Sequence, residues 1–338
     1  MRKILEEFVI LNLVFFSAAF SYDSFSRQEI IRKTLDKWEM EISIKTGYLD
    51  GKTHYQIQFD AGGGSTGKSK LEFPLGNWLY GAEFSIGRKP LFLDFEIYNE
   101  IWQTADKNME DKDWTDDLLW SHTKSDAEVK IDMWDASLKY RIWEGKDFWR
   151  EWEGKNKKGW LDIVGGYRYE RFKYRVLGVR YIVGGSGEYY SGEEVLAYKV
   201  EYFLPYIGVE GAYTTKIENQ KIRFLKNWGL GMSLAFSPYA KAKDRDDHIL
   251  RNKLSHGDCE GWAAYVGLEL FLETQKNWNL NLGVDYLSVD TEGKQSQYWY
   301  GDDPATPGVD DTGAGVEDID LDIKEYHIFY WAALTYKF

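Results

Sequence analysis

From Glu325 to the final residue, Phe338, the chain alternates without a break. Tyr326, Ile328, Tyr330, Ala332, Leu334, Tyr336 and Phe338 fall on one side, and Glu325, His327, Phe329, Trp331, Ala333, Thr335 and Lys337 on the other. A period of two is the period of a β-strand, whose successive side chains point to opposite faces. One face here is wholly apolar and aromatic, so it needs a protein core or lipid to cover it. Alternate aromatics running to a terminal Phe have the pattern of the closing strand of a bacterial outer-membrane barrel. An ordinary last strand of a soluble β-protein is the plainer alternative.

The pattern recurs upstream. Trp228, Leu230, Met232, Leu234 and Phe236 alternate with Gly, Ser and Ala, and Trp278, Leu280, Leu282, Val284 and Tyr286 with Asn, Gly and Asp. The runs Leu91–Ile97 and Ala264–Leu272 repeat it. Aromatic residues make up 17% of the chain although its mean hydropathy is −0.51. A barrel with one lipid-facing and one wet face produces that pairing. Compact connections at Gly87–Pro90, Glu218–Lys221 and Thr274–Lys276 alternate with longer ones at 61–68, 106–127, 183–192, 243–257 and 293–319. The reading is an all-β, antiparallel, up-and-down transmembrane barrel of about ten strands with long extracellular loops. The charged, Trp-rich stretch Glu144–Lys158 fits as an interfacial turn.

Residues 1–21 read as a signal peptide, with Arg2 and Lys3 before an apolar stretch from Phe8 to Phe20 and small residues Ser17, Ala18, Ala19 and Ser21 at its end. That leaves 22–338 as one outer-membrane domain with its loops facing the exterior. The stretch is shorter than the roughly 20 apolar residues of a spanning helix. A net charge of −13 argues against nucleic acid and for cationic partners. The single cysteine, Cys259, excludes an intramolecular disulfide and reads as a small strand residue.

Two short segments carry candidate chemistry. In Asp244-Arg245-Asp246-Asp247-His248 the acid and the imidazole stand two residues apart, so an extended backbone points both to one side. A carboxylate there would orient the ring and raise its basicity, as a general base acting on water requires. Asp111 and Asp113 share the same spacing in Asp111-Lys112-Asp113-Trp114. Two converging carboxylates repel, which holds one protonated. A solvated acidic loop is the plain alternative on spacing alone. His54, His122, His256 and His327 read as surface or strand residues. No Ser or Cys stands in a nucleophile motif, and no His/Cys/Glu cluster has zinc spacing.

Taken together, Asp111-x-Asp113-Trp114 and Asp244-x-Asp246-x-His248 resemble the two signature motifs of the omptin family of outer-membrane endopeptidases. Gly47-Tyr48-Leu49-Asp50-Gly51-Lys52-Thr53, Gly166-Tyr167-x-x-x-Arg171, Tyr198-Lys199, Pro205-Tyr206-Ile207-Gly208 and Gly211-x-Tyr213 extend the likeness collinearly from Gly47 to Phe338. The resemblance implies an aspartic-type endopeptidase. Its water is held between Asp111/Asp113 and Asp246/His248, with no covalent intermediate and no metal. It places Asp244 and Tyr55 in the substrate pocket, Tyr55 standing where the family carries a Glu. It places Tyr167 and Arg171 in a lipopolysaccharide site, with Tyr169 in place of an acid and Glu201 in place of an Arg. The implied partners are peptide or protein substrates and outer-membrane lipid, around a monomer. Lipopolysaccharide is a candidate activator and no other cofactor is implied. A non-catalytic barrel, whether an adhesin, a small pore or a scaffold that has lost proteolysis, is the alternative.

Overall fold

The structure, a computed structural model, describes residues 38–100, 103–145, 157–217, 224–274 and 277–338. The expected signal peptide and residues 146–156 of the charged turn lie outside them, as do Glu218–Lys221 and residues 275–276 of the other two short connections.

The described residues are almost wholly strand: β1 (Glu39–Gly62), β2 (Ser65–Pro74), β3 (Asn77–Arg88), β4 (Leu91–Asn99), β5 (Gln103–Thr104), β6 (Met109–Thr115), β7 (Leu118–Gly145), β8 (Lys157–Val183), β9 (Glu188–Lys216), β10 (Leu225–His248), β11 (Lys253–Thr274), β12 (Trp278–Trp299) and β13 (Gly315–Lys337). They form one antiparallel sheet, closed where β1 pairs with β13 from Glu41↔Lys337 to Gln58↔Asp320. Closure leaves no unpaired edge in the hydrocarbon, the condition under which strands can span a bilayer.

The ring has two tiers. At one level it runs β1, β3, β4, β7 and on through β8–β13. At the outer level β2 and β6 stand in place of β3 and β4. Either path gives ten strands. Pro74 marks the change of tier between β2 and β3, because proline cannot donate to a ladder. The chain stays attached there through Leu75 N–H donating to Gly51 O at 3.1 Å.

The alternations read from the sequence sort as expected. On β10, Trp228, Leu230, Met232, Leu234 and Phe236 are exposed outward, as are Tyr326, Tyr330 and Leu334 on β13. Glu325, His327, Phe329, Ala333 and Thr335 are buried inward. The outward excursions of the sequence are present and are built largely of strand. At 61–68, for instance, β1 and β2 continue to a tight turn where Gly62, Gly63 and Gly64 take φ of +86°, +66° and +87°, a region glycine enters without steric cost.

Inside, a buried aromatic and aliphatic plug divides the lumen. Phe73 stacks on Tyr198 at 4.2 Å and packs against Tyr174 at 4.9 Å, with Leu49, Leu71 and Val200 around them. On the periplasmic side of the plug lies a cavity of about 410 Å³ whose lining holds more acids than bases. On the other side is the outer mouth.

Candidate active site

Asp111 and Asp113 lie on β6, clamped between β2 and β7 at the outer tier. Asp116, at φ +51°, turns the chain out of the strand, and its carboxylate accepts the Thr66 amide at 2.9 Å. Ser69 lies directly across from Asp113 in the β2–β6 register, and its hydroxyl hydrogen-bonds to that carboxylate.

Asp246 and His248 lie at the end of β10, which continues past Asp244 as the alternation requires. Asp246 is fully buried, and its Oδ2 is 2.8 Å from His248 Nε2. A single 3-10 turn, Ile249–Arg251, follows, and Asn252 in the left-handed region (φ +48°) returns the chain into β11. Arg251 anchors this corner by forking onto Asp303 Oδ2 at 3.0 and 2.7 Å, where Trp299 Nε1 also donates at 3.1 Å. Burial would push Asp303 up, but these donors hold it down at about 2.

Around the outer ring β6 and β10 stand four strands apart on one side and six on the other, so the two pairs face each other across the mouth. Their electrostatics register the approach. Burial, then the nearby charges of Asp113 and Asp246, pushes Asp111 up to about 8. Burial also raises Asp113, against Ser69, His248, Arg251 and Lys253, which pull it down. At neutral pH the acid pair therefore holds a proton on Asp111. The arrangement joins an acid able to donate, a carboxylate able to accept and an oriented imidazole, which is the complement for activating water and stabilising a tetrahedral intermediate. Asp111 Oδ1 and both oxygens of Asp246 are buried with no aligned hydrogen-bond donor among the described residues. Buried polar atoms are otherwise nearly always partnered.

Asp244 lies on the same inner face of β10, 5% exposed, with backbone amides, of Gly257 and its own, as its donors and no side-chain donor among the described residues. Burial and the neighbouring Asp246 raise it well above the usual carboxylate range. Gly257 lies opposite it in β11, where a Cβ would come within 2.2 Å of Asp244 Oδ1. Tyr55 is buried beside Asp244, edge-on to Tyr198 at 5.9 Å, and its hydroxyl accepts from Gln295. A separate cleft of about 700 Å³ lies against the outward side of this wall, lined by Lys199, Lys243, Arg245 and Lys294 and by Glu201, Asp258, Glu317 and Asp318.

Tyr167 and Arg171 are not part of this mouth. They lie on the outward face of β8, where Tyr167 stacks on Trp134 at 5.5 Å and Arg171 forks onto Asp132 Oδ2 at 3.0 and 2.7 Å. Tyr169 donates to Glu201 at 2.7 Å. Both Arg171 and Tyr169 thus have acidic partners within the protein. Cys259 is a strand residue, as read from the sequence, and is buried in β11.

Sequence reasoning missed Lys253. It pairs with His248 across the β10–β11 turn, is 6% exposed and lies within electrostatic reach of Asp111, Asp113 and Asp246. Burial, then Arg251, lowers its pKa, while Asp246, Asp303 and Asp111 oppose. Only the length of the intervening turn places it there, and nothing in its neighbourhood in the chain signals that length.

Comparison with known proteins agrees with this architecture. A sequence model of the Omptin family matches residues 36–321. Protease 7 of Escherichia coli is 22% identical over 93% of this chain and 95% of its own. The plasminogen activator of Yersinia pestis is 24% identical over 67% and 68% of the two chains. Among solved structures, the outer-membrane protease OmpT of Escherichia coli superposes with a TM-score of 0.68 at 17% identity, covering 89% of this chain and 97% of that one.

Proposed function

Since this chain belongs to the omptin family and is an outer-membrane β-barrel protease, we propose that it hydrolyses peptide bonds at its outer mouth with a water held between Asp111/Asp113 and Asp246/His248. His248, oriented by Asp246, takes a proton from the water as the oxygen attacks the scissile carbonyl. Asp113 holds the water from the opposite wall. Asp111, protonated at neutral pH, donates to the developing oxyanion, so charge at the tetrahedral intermediate is met by a group already in place. The imidazolium then returns the proton to the leaving amine.

The observation that carries this reading is the approach of two buried acids from opposite walls, Asp246 paired with His248 at 2.8 Å and Asp111 Oδ1 left without a hydrogen-bond donor among the described residues. Asp244 extends it to specificity: a buried acid with no cation beside it favours a Lys or Arg side chain, with Tyr55 offering its ring face to the same cation. Lipopolysaccharide at Tyr167 and Arg171 belongs to the proposal as an activator, weakened because Asp132 already occupies the guanidinium. The packed plug of Phe73, Tyr174 and Tyr198 speaks against a pore. The test is cleavage of a peptide library by the refolded barrel with lipopolysaccharide. Scission beside basic residues is expected, and an intact library would overturn the proposal.

A further inference from the structure

Just inside the mouth a second cluster joins opposite walls of the barrel. Glu170 on β8 meets Glu325 and His327 on β13, and β8 and β13 stand five strands apart in either direction round the ten-strand ring. The three side chains are 0–1% exposed. His327 Nδ1 lies 2.7 Å from Glu325 Oε1 and 3.9 Å from Glu170 Oε2. Among the described residues this is the one grouping of three His, Cys, Asp or Glu side chains whose ligand atoms all lie within 4.8 Å of one another.

We propose that Glu170, Glu325 and His327 form a binding site for one divalent transition-metal ion, of the class of Zn²⁺, that cross-braces β8 to β13 beneath the catalytic mouth. Two buried carboxylates and an imidazole at this spacing need either a shared proton or a cation. Arg168 answers for one charge, contacting Glu170 Oε1 at 2.5 Å through Nε. Glu325 meets no Lys or Arg in ion-pair contact among the described residues: it has the imidazole and the Glu170 carboxyl, with which it shares a hydrogen bond. Glu170 Oε2, Glu325 Oε2 and His327 Nε2 are all buried with no further hydrogen-bond partner, as is the hydroxyl of Tyr202, the cross-strand neighbour of Glu170. One nitrogen with two carboxylate oxygens suits zinc and its neighbours. Metal–ligand bonds of about 2.0–2.2 Å put tetrahedral ligands roughly 3.3 Å apart, so His327 Nδ1 and Glu325 Oε1 must separate by less than 1 Å.

The lower cavity supplies a route. Arg168 and Leu287 line it, and Leu287 is the cross-strand partner of His327. Its lining carries eleven acids against five Lys and Arg, an excess that concentrates cations. Arg168 would not be stranded by an arriving ion, because Asp135 lies directly across from it in the β7–β8 register. Any proton held by the carboxyls leaves as the metal binds.

The refolded barrel, equilibrated with Zn²⁺, passed over a desalting column and assayed by elemental analysis, is expected to retain about one ion per chain. Glu325→Gln and His327→Gln should abolish retention, while the double variant Asp113→Asn/His248→Ala should keep it, which separates this site from the mouth. Zn²⁺ should raise the melting temperature of the wild type and leave both site variants unmoved. Where a site variant does not fold, Co²⁺ replaces the comparison: the wild type should show visible ligand-field bands of a nitrogen- and oxygen-ligated ion. No retained zinc, retention unchanged in Glu325→Gln and His327→Gln, retention lost with the mouth residues, or a colourless cobalt form would each overturn the proposal. None of these readouts depends on proteolysis.

Discussion

Asp246 Oδ2 and His248 Nε2 approach to 2.8 Å, with the aspartate side chain wholly buried and the imidazole 22% exposed. The inequality suits a base that must meet both a fixed partner and solvent: the carboxylate cannot turn away, and the ring keeps an open edge. Opposite it, Asp111 and Asp113 reverse the balance, one buried acid carrying a proton beside another that Ser69, His248, Arg251 and Lys253 hold toward ionisation.

His248→Ala and Asp113→Asn should each lower kcat/KM by about 10²–10⁴-fold, the usual contribution of a positioned acid or base. Initial rates on a basic peptide would show it, with the folded barrel checked by circular dichroism. Undiminished turnover in either variant would remove these residues from the chemistry.

The proton on Asp111 makes activity fall as pH rises through about 8. Lys253 lowers that value by its charge, so Lys253→Met should move the alkaline limb to higher pH. A full pH profile of kcat/KM for both proteins tests this, and an unmoved limb would place Lys253 outside the electrostatics of the site. Stability follows the same linkage. The folded state binds the Asp111 proton between the ordinary carboxylate range and about 8, so this contribution is complete in acid and is lost as pH rises through that window.

Asp244→Asn should cost cleavage beside Lys or Arg on the order of 100-fold, since it removes one partner of a buried charge pair. It should leave the barrel at least as stable, because no cation pairs with the buried acid among the described residues and an amide oxygen can still accept from the Gly257 backbone. Competition between basic and neutral peptides, with a denaturation curve for each protein, measures both effects. Equal loss on both peptide classes would contradict the assignment.

Removing the plug should cost stability and not chemistry first. Phe73 stacks on Tyr198 and packs on Tyr174, so Phe73→Ala should destabilise the barrel by about 3–5 kcal/mol. A urea titration in micelles reads this directly.

Glu201 lies across from Arg171 in the β8–β9 register and holds both Tyr169 and Lys199. Glu201→Arg should place a second guanidinium beside Arg171 and lower the lipopolysaccharide concentration needed for half-maximal activity, because phosphate recognition by Arg is charge-assisted. An unchanged titration midpoint would separate lipid from this face.

Much of this was legible in the residues. The period of two along Tyr326–Phe338 and Trp228–Phe236 set the strands and told their lipid face from their inner one, because a strand leaves its side chains no third direction. The spacing of Asp111 with Asp113, and of Asp246 with His248, put each pair on one face for the same reason. The approach of the two pairs, by contrast, depends on how many strands separate β6 from β10 and on the closing register of β1 with β13, quantities that no local pattern contains. Only closure set Tyr55 against Asp244 and Asp246 and brought His327, unremarkable in its own strand, against Glu170 from the opposite wall. Local alternation is a property of the backbone and can be read one strand at a time; a site held between walls belongs to the cylinder, and its contacts exist only once the ring is shut.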